Sequence, residues 1–163
     1  MRGDHQIPVQ IPAGVATGQY MTLRGLGNAG PRGGPRGDVL VVFDVLDDPR
    51  FERDGEDVYC EVLVSYPDLV LGADVEVPAV TTTVSLRIPP GTQSGQVFNV
   101  RGRGLPRVNA SGVGDLHVRV QLWTPDSVSR EEEALLRKLA ETQKTPQARE
   151  KGFWSKMKEA LGA

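Results

Sequence analysis

The sequence predicts a mainly all-β protein of two related units, followed by a helical tail. Three observations carry this. Residues 88–120 repeat residues 11–43 without a gap, at an offset of 77 positions: Ile11/Ile88, Pro12/Pro89, Gly14/Gly91, Gly18/Gly95, Gln19/Gln96, Arg24/Arg101, Gly25/Gly102, Gly27/Gly104, Gly37/Gly114, Asp38/Asp115 and Val41/Val118. The chain holds 19 glycines and 12 prolines in 163 residues, which favours turn-rich β structure over a helical bundle. Short β-branched stretches alternate with turn signals along most of its length. The shared positions are mostly glycine, proline or a turn aspartate, so the repeat preserves a backbone shape. A copy of this length means two similar structural units.

The elements follow in order. Ile7, Val9 and Ile11 alternate with Pro8 and Gln10, which predicts a strand with one buried face. Pro8 cannot donate to a ladder, so the strand belongs at an edge or a start. Residues 20–24 read as the next strand. Residues 39–46 are apolar at nearly every position, which predicts a central strand covered on both sides. Asp47-Asp48-Pro49 breaks that run, and residues 51–58 join the two units through the Asp54-Gly55 turn signal. Val58, Cys60, Val62 and Val64 alternate as a strand, and residues 67–71 form a helical turn ended by Gly72. Residues 74–77 and 82–88 are two more strands before the second copy, which finishes at Leu122-Trp123. Ser129-Arg130-Glu131-Glu132 is a capping box for a helix running to about Thr142. A second short helix over 147–161 puts Phe153, Trp154, Met157, Ala160 and Leu161 on one stripe.

Composition limits function. The net charge of −2 gives no global basic field for nucleic acid. One cysteine, Cys60, excludes an internal disulfide framework and a cysteine-based zinc site. No apolar run approaches a membrane span and no signal peptide opens the chain, so a cytoplasmic protein is expected. Gly25-Leu26-Gly27-Asn28-Ala29-Gly30 spells a dinucleotide fingerprint, but Pro31-Arg32-Gly33-Gly34-Pro35 cannot open the required helix. A glycine loop between strands explains it better, and no cofactor is expected. Arg24, Arg32, Arg36, Arg101, Arg103 and Arg107 lie in the two loops without aromatic residues for base stacking, so they read as solvated. His5, His117 and Cys60 make no nucleophile–base set in the sequence. Asp38 and Asp115 share a Gly-Asp-apolar setting that marks a turn leading into a strand. No enzyme is expected.

The ordered motifs resemble the C-terminal substrate-binding and dimerisation region of DnaJ-type co-chaperones. They are Ile11-Pro12-Ala13-Gly14-Val15, Gly25-x-Gly27-x-Ala29-Gly30, Gly37-Asp38-Val39, Phe51-x-Arg53-Asp54-Gly55-x-Asp57, Leu71-Gly72, Val77-Pro78, Ile88-Pro89-x-Gly91-Thr92-Gln93-x-Gly95, Arg101-Gly102-x-Gly104-x-Pro106 and Gly114-Asp115-Leu116. The resemblance implies β-sandwich or barrel-like units, with a short helix in the second. It implies residues 1–50 as the second half of an incomplete first unit, 51–125 as a complete second unit and 126–163 as a dimerisation tail. It also implies binding of unfolded, apolar polypeptide, with Ile7, Val9 and Phe51 at the client site. Phe153, Trp154, Met157 and Leu161 would form a homodimer, and a DnaK-type chaperone would receive the client. The family's J domain, with its His-Pro-Asp motif, and its Cys-x-x-Cys zinc repeats have no match, so a fragment without metal is expected. The competing expectation is a purely structural dimerisation module without a client.

Overall fold

The computed structural model describes residues 6–143. The chain divides into two compact units, Met1–Thr124 and Pro125–Ala163. Among its described residues, the regular elements of the first unit are eight strands, one short helix and one 3-10 turn, joined by loops. It starts with β1 (Tyr20–Leu23) and β2 (Val39–Val42), an antiparallel pair that sets Tyr20 opposite Val42 and Leu23 opposite Val39. The loop between them holds a single 3-10 turn at Pro31–Gly33. Next come β3 (Glu52–Asp54), β4 (Asp57–Val64), α1 (Tyr66–Leu71), β5 (Ala73–Pro78), β6 (Thr83–Ile88), β7 (Val97–Val100) and β8 (Leu116–Leu122).

Four of these strands form one sheet in the order β3-β4-β8-β7, and β5 and β6 form a separate hairpin. β4 and β8 run parallel, with Val58 opposite Leu116 and Val62 opposite Val120. The other pairings are antiparallel. Alternation explains the core. Val58, Cys60, Val62 and Val64 point inward from β4, and Leu116, Val118 and Val120 point inward from β8. Leu69 of α1 and Val77 and Ile88 of the hairpin cover that face. Fully burying each such aliphatic side chain contributes roughly 1.5–3 kcal/mol. α1 is fixed at both ends: the Ser65 hydroxyl accepts from the Asp68 N–H, and Gly72 closes the helix at φ 82°. A Cβ on Gly72 would also lie 2.9 Å from the Ile88 carbonyl oxygen, so only glycine fits.

In the second unit the structure describes α2 (Arg130–Thr142). Its capping box is reciprocal. Ser129 Oγ accepts from the Glu132 N–H at 3.2 Å, and a Glu132 carboxylate oxygen accepts from the Ser129 N–H at 2.7 Å. The backbone and hydroxyl contacts from Ser129 hold the Glu132 carboxyl below its ordinary pKa.

The mainly-β fold stands, although its sheets do not close into a barrel among the described residues. Three expectations are corrected. Residues 7–11 form no strand: Pro8 and Pro12 remove two donors, and no neighbouring strand rewards the alternation. The apolar run 39–46 is not covered on both sides. Its strand ends at Val42, and Leu40, Val42 and Leu46 are 59%, 62% and 87% exposed. Residues 51–57 are more than a joiner, because Glu52–Asp54 pairs with β4 as an edge strand. The second tail helix, with Phe153, Trp154, Met157 and Leu161, lies outside the described residues.

Candidate functional site

The two repeated loops are built on the same hydrogen bonds. In the first copy the Gly25 N–H donates to Asp38 Oδ1 at 2.8 Å; in the second the Gly102 N–H donates to Asp115 Oδ1 at 2.8 Å. Gly27 N–H bonds Gly37 O, and Gly104 N–H bonds Gly114 O, both at 2.8 Å. Thr17 Oγ1 accepts from Val45 N–H at 2.9 Å, and Ser94 Oγ accepts from Leu122 N–H at 3.0 Å. Arg32 and Asn109 occupy matching places with φ of 56° and 55°. The aspartates therefore tie loop to strand, as their Gly-Asp-apolar setting implies. Asp115 also accepts from the Asn99 amide, and these bonds, the Gly102 one foremost, hold its carboxyl below the usual range.

Two clefts flank Phe51. One, about 330 Å³, is lined by Phe51, Tyr59, Val97, His117 and Arg119 among others. There the His117 ring stacks on Tyr59 at 4.6 Å, and His117 Nε2 lies 3.5 Å from Asp57 Oδ2. The other, about 530 Å³, is more apolar: Val45, Leu46, Phe51, Val58, Val80 and Leu105 line it, with Asp47, Asp48, Glu52 and Arg53. Phe51 packs against the core on one side, and the Arg50 guanidinium lies 5.1 Å from its ring centroid. Asp48 clasps Arg50 at 2.7 Å, and that contact lowers the exposed Asp48 carboxyl to about 2. Arg53 ties β3 to the segment at Gly14 by donating to Gly14 O, Val15 O and Gly55 O at 2.7–2.8 Å.

Phe51 thus sits at both clefts, while Ile7 is half-buried and Val9 is 36% exposed, and neither lines a cleft that Phe51 lines. Sequence reasoning missed Val45, Leu46, Val80 and Leu105. For Val45 and Leu46 the available signal was their place in the apolar run 39–46; Val80 and Leu105 gave none. Sequence reasoning gave Asp57 only as the end of a motif, without its role: Asp57 Oδ1 accepts from the Asp115 N–H at 2.7 Å and so ties β4 to the second loop. Burial raises the Cys60 thiol pKa, and its Sγ lies 4.0 Å from Pro78 O, so it is a packing residue and not an activated nucleophile. Among the described residues no group of three or more His, Cys, Asp or Glu could hold a metal ion, and no helix is long and apolar enough to cross a membrane.

A twinned strand–glycine loop–strand unit, with a short helix and hairpin between the copies, defines the class: a duplicated β domain without a metal cluster among its described residues. More narrowly, the chain belongs to the DnaJ C terminal domain family, whose model matches residues 1–125. It is 44% identical over 157 residues to the chaperone protein DnaJ of Shouchella clausii, covering 96% of this chain and 42% of that protein. It is 45% identical over 160 residues to the chaperone protein DnaJ of Enterococcus faecalis, covering 97% and 41%. Against that of Chlorobium limicola it is 45% identical over 141 residues, covering 86% and 35%. The chain therefore spans less than half the length of these relatives.

Proposed function

We propose that this domain binds extended apolar segments of unfolded polypeptide, as the binding part of a chaperone, and catalyses no reaction. The observation that carries this is the 530 Å³ cleft beside Phe51, where Val45 and Leu46, just past the first copy, meet Val58 and Val80 from between the copies and Leu105 from the second. Such a cleft can take alternate side chains of an extended client. The proposal includes transfer of the client to a DnaK-type chaperone, a cytoplasmic setting, and a homodimer through Phe153, Trp154, Met157 and Leu161. Ile7 and Val9 would extend the client surface along the N-terminal segment. The division at residues 50/51 and 125/126 belongs to the same reading.

The test pairs aggregation suppression with peptide binding. The chain should hold a denatured client in solution. Phe51→Ala should weaken an apolar peptide by roughly 1–2 kcal/mol, about five- to thirty-fold, with a cooperative urea transition retained at a lower midpoint. No suppression by the intact chain would leave the dimerisation module as the better reading. Suppression with unchanged peptide affinity would remove Phe51 from the site.

A further inference from the structure

The larger cleft beside Phe51 is apolar inside and acidic at its lip. Beside its apolar lining stand three carboxylates, of Asp47, Asp48 and Glu52, and one guanidinium, of Arg53. Two of these four charges are already committed. Asp48 grips the Arg50 guanidinium through both carboxylate oxygens, at 3.0 and 2.7 Å, and accepts from the Arg50 N–H as well. Arg53 spends its guanidinium on the carbonyls of Gly14, Val15 and Gly55. Asp47 and Glu52 are exposed, and their side chains make no hydrogen bond or ion pair among the described residues. Asp47 follows Leu46 in the segment leaving β2, and Glu52 follows Phe51 at the start of β3. The repeat shows that the acids are not part of what the two copies share. At the offset of 77, Val45 and Leu46 match Leu122 and Trp123, so the apolar pair recurs, but Asp47 and Asp48 match Thr124 and Pro125. Asp48 has a structural task in holding Arg50; Asp47 has none. A charged edge that resists strand pairing would account for Glu52, but Asp47 lies in no strand.

We propose that Asp47 and Glu52 read charge at this cleft, so that it takes apolar client segments in which a lysine or arginine adjoins the anchoring side chain. This rests on the polypeptide-binding reading above. The physical case is charge complementarity. A cationic residue next to the anchor can lay its methylene stem along the exposed Leu46 side chain and keep its charged end at the lip. There it meets a carboxylate beside apolar surface, where the attraction is stronger than in open water. An acidic neighbour meets two uncommitted carboxylates and is repelled. Each exposed pair contributes little, so the preference is modest and salt erases it. Rim charges of this kind act on encounter and on the choice between partners more than on total affinity.

The probes are two fluorescein-labelled peptides with one apolar core, Gly-Lys-Leu-Val-Phe-Lys-Gly and Gly-Glu-Leu-Val-Phe-Glu-Gly, followed by anisotropy with the full chain. At low salt the lysine peptide should bind about tenfold tighter than the glutamate peptide, and at about 1 M salt the two should bind alike. The double variant Asp47→Asn/Glu52→Gln should reduce the low-salt ratio to about twofold. Asp74→Asn/Glu76→Gln removes the same charge from exposed positions on β5 outside the cleft and should leave the ratio near its wild-type value. Urea midpoints of both double variants should match the wild type; if the first unfolds, Asp47→Asn alone, outside any strand, carries the test. A ratio unmoved by Asp47→Asn/Glu52→Gln, or moved as much by Asp74→Asn/Glu76→Gln, would overturn the proposal in favour of the chain's overall charge. Self-association that the lysine peptide reverses would overturn it in favour of a second copy seated in the cleft. Equal binding of the two peptides at low salt, lost in Phe51→Ala, would sink the charge reading and leave the Phe51 cleft standing. Binding of neither peptide, with no aggregation suppression, would take the polypeptide-binding reading down as well.

Discussion

The first and second copies share a loop but not a sheet. The bonds from Gly25 to Asp38 and from Gly27 to Gly37 recur at Gly102–Asp115 and Gly104–Gly114. Yet Leu116, Val118 and Val120 are fully buried, while Val39 and Val41 are only half-buried and Leu40 and Val42 lie exposed. Local hydrogen bonds set the loop, and the neighbouring strand sets the burial. The difference teaches that this loop is a self-sufficient unit of backbone chemistry, whereas its strands draw their stability from a third strand far away in sequence.

The contrast can be broken hardest at matching core positions. Leu116→Ala should cost about 2–5 kcal/mol, because a fully buried side chain leaves a cavity. Val39→Ala, its counterpart in the first copy, should cost less than half of whatever Leu116→Ala costs. Urea unfolding of both variants checks this, and equal losses would mean β2 is covered in solution. Next comes the glycine pair. Gly114→Ala should cost about 1–3 kcal/mol through its collision with the Glu56 carbonyl, against under about 0.5 kcal/mol for Gly37→Ala. The smallest effect is electrostatic and belongs to the second loop. The Asp115 carboxyl is lowered from its usual 3.8 by the Gly102 N–H and the Asn99 amide. A depressed carboxyl contributes stability that is present above 3.8 and fades as pH falls through its folded value. Asp115→Asn should therefore flatten the acid limb of a urea-midpoint profile below about pH 4, and an unchanged limb would remove Asp115 from acid unfolding. The group is exposed, so the change is small.

Much of this was legible in the residues. The repeat, the strands around Val58, Thr83 and Leu116, the Gly72 helix stop and the Ser129 capping box all follow from local chemistry. Phe51 was singled out as a candidate only through the family motif around it. What the sequence concealed is non-local. The apolar stretch 39–46 reads like a central strand, because apolarity records what a strand can bury and not whether a neighbour is there. Glu52–Asp54 carries only charged side chains, so nothing in its pattern signals a strand; it forms through its hairpin with β4 and the Arg53 guanidinium. The parallel pairing of β4 with β8 spans most of the second copy and has no turn to announce it. The cleft residues Val80 and Leu105 belong to loops that only the folded chain brings beside Phe51.

The lone thiol has a consequence of its own. Cys60 sits midway along β4, between Tyr59 and Glu61, in the ladder that joins β4 to β8. It is buried and held protonated, so an alkylating reagent reaches it only when that ladder parts. With no second cysteine to compete, the rate of labelling is a stopwatch for that one event. The molecule carries its own single-site reporter of how often its centre comes undone, without any probe having to be engineered into it.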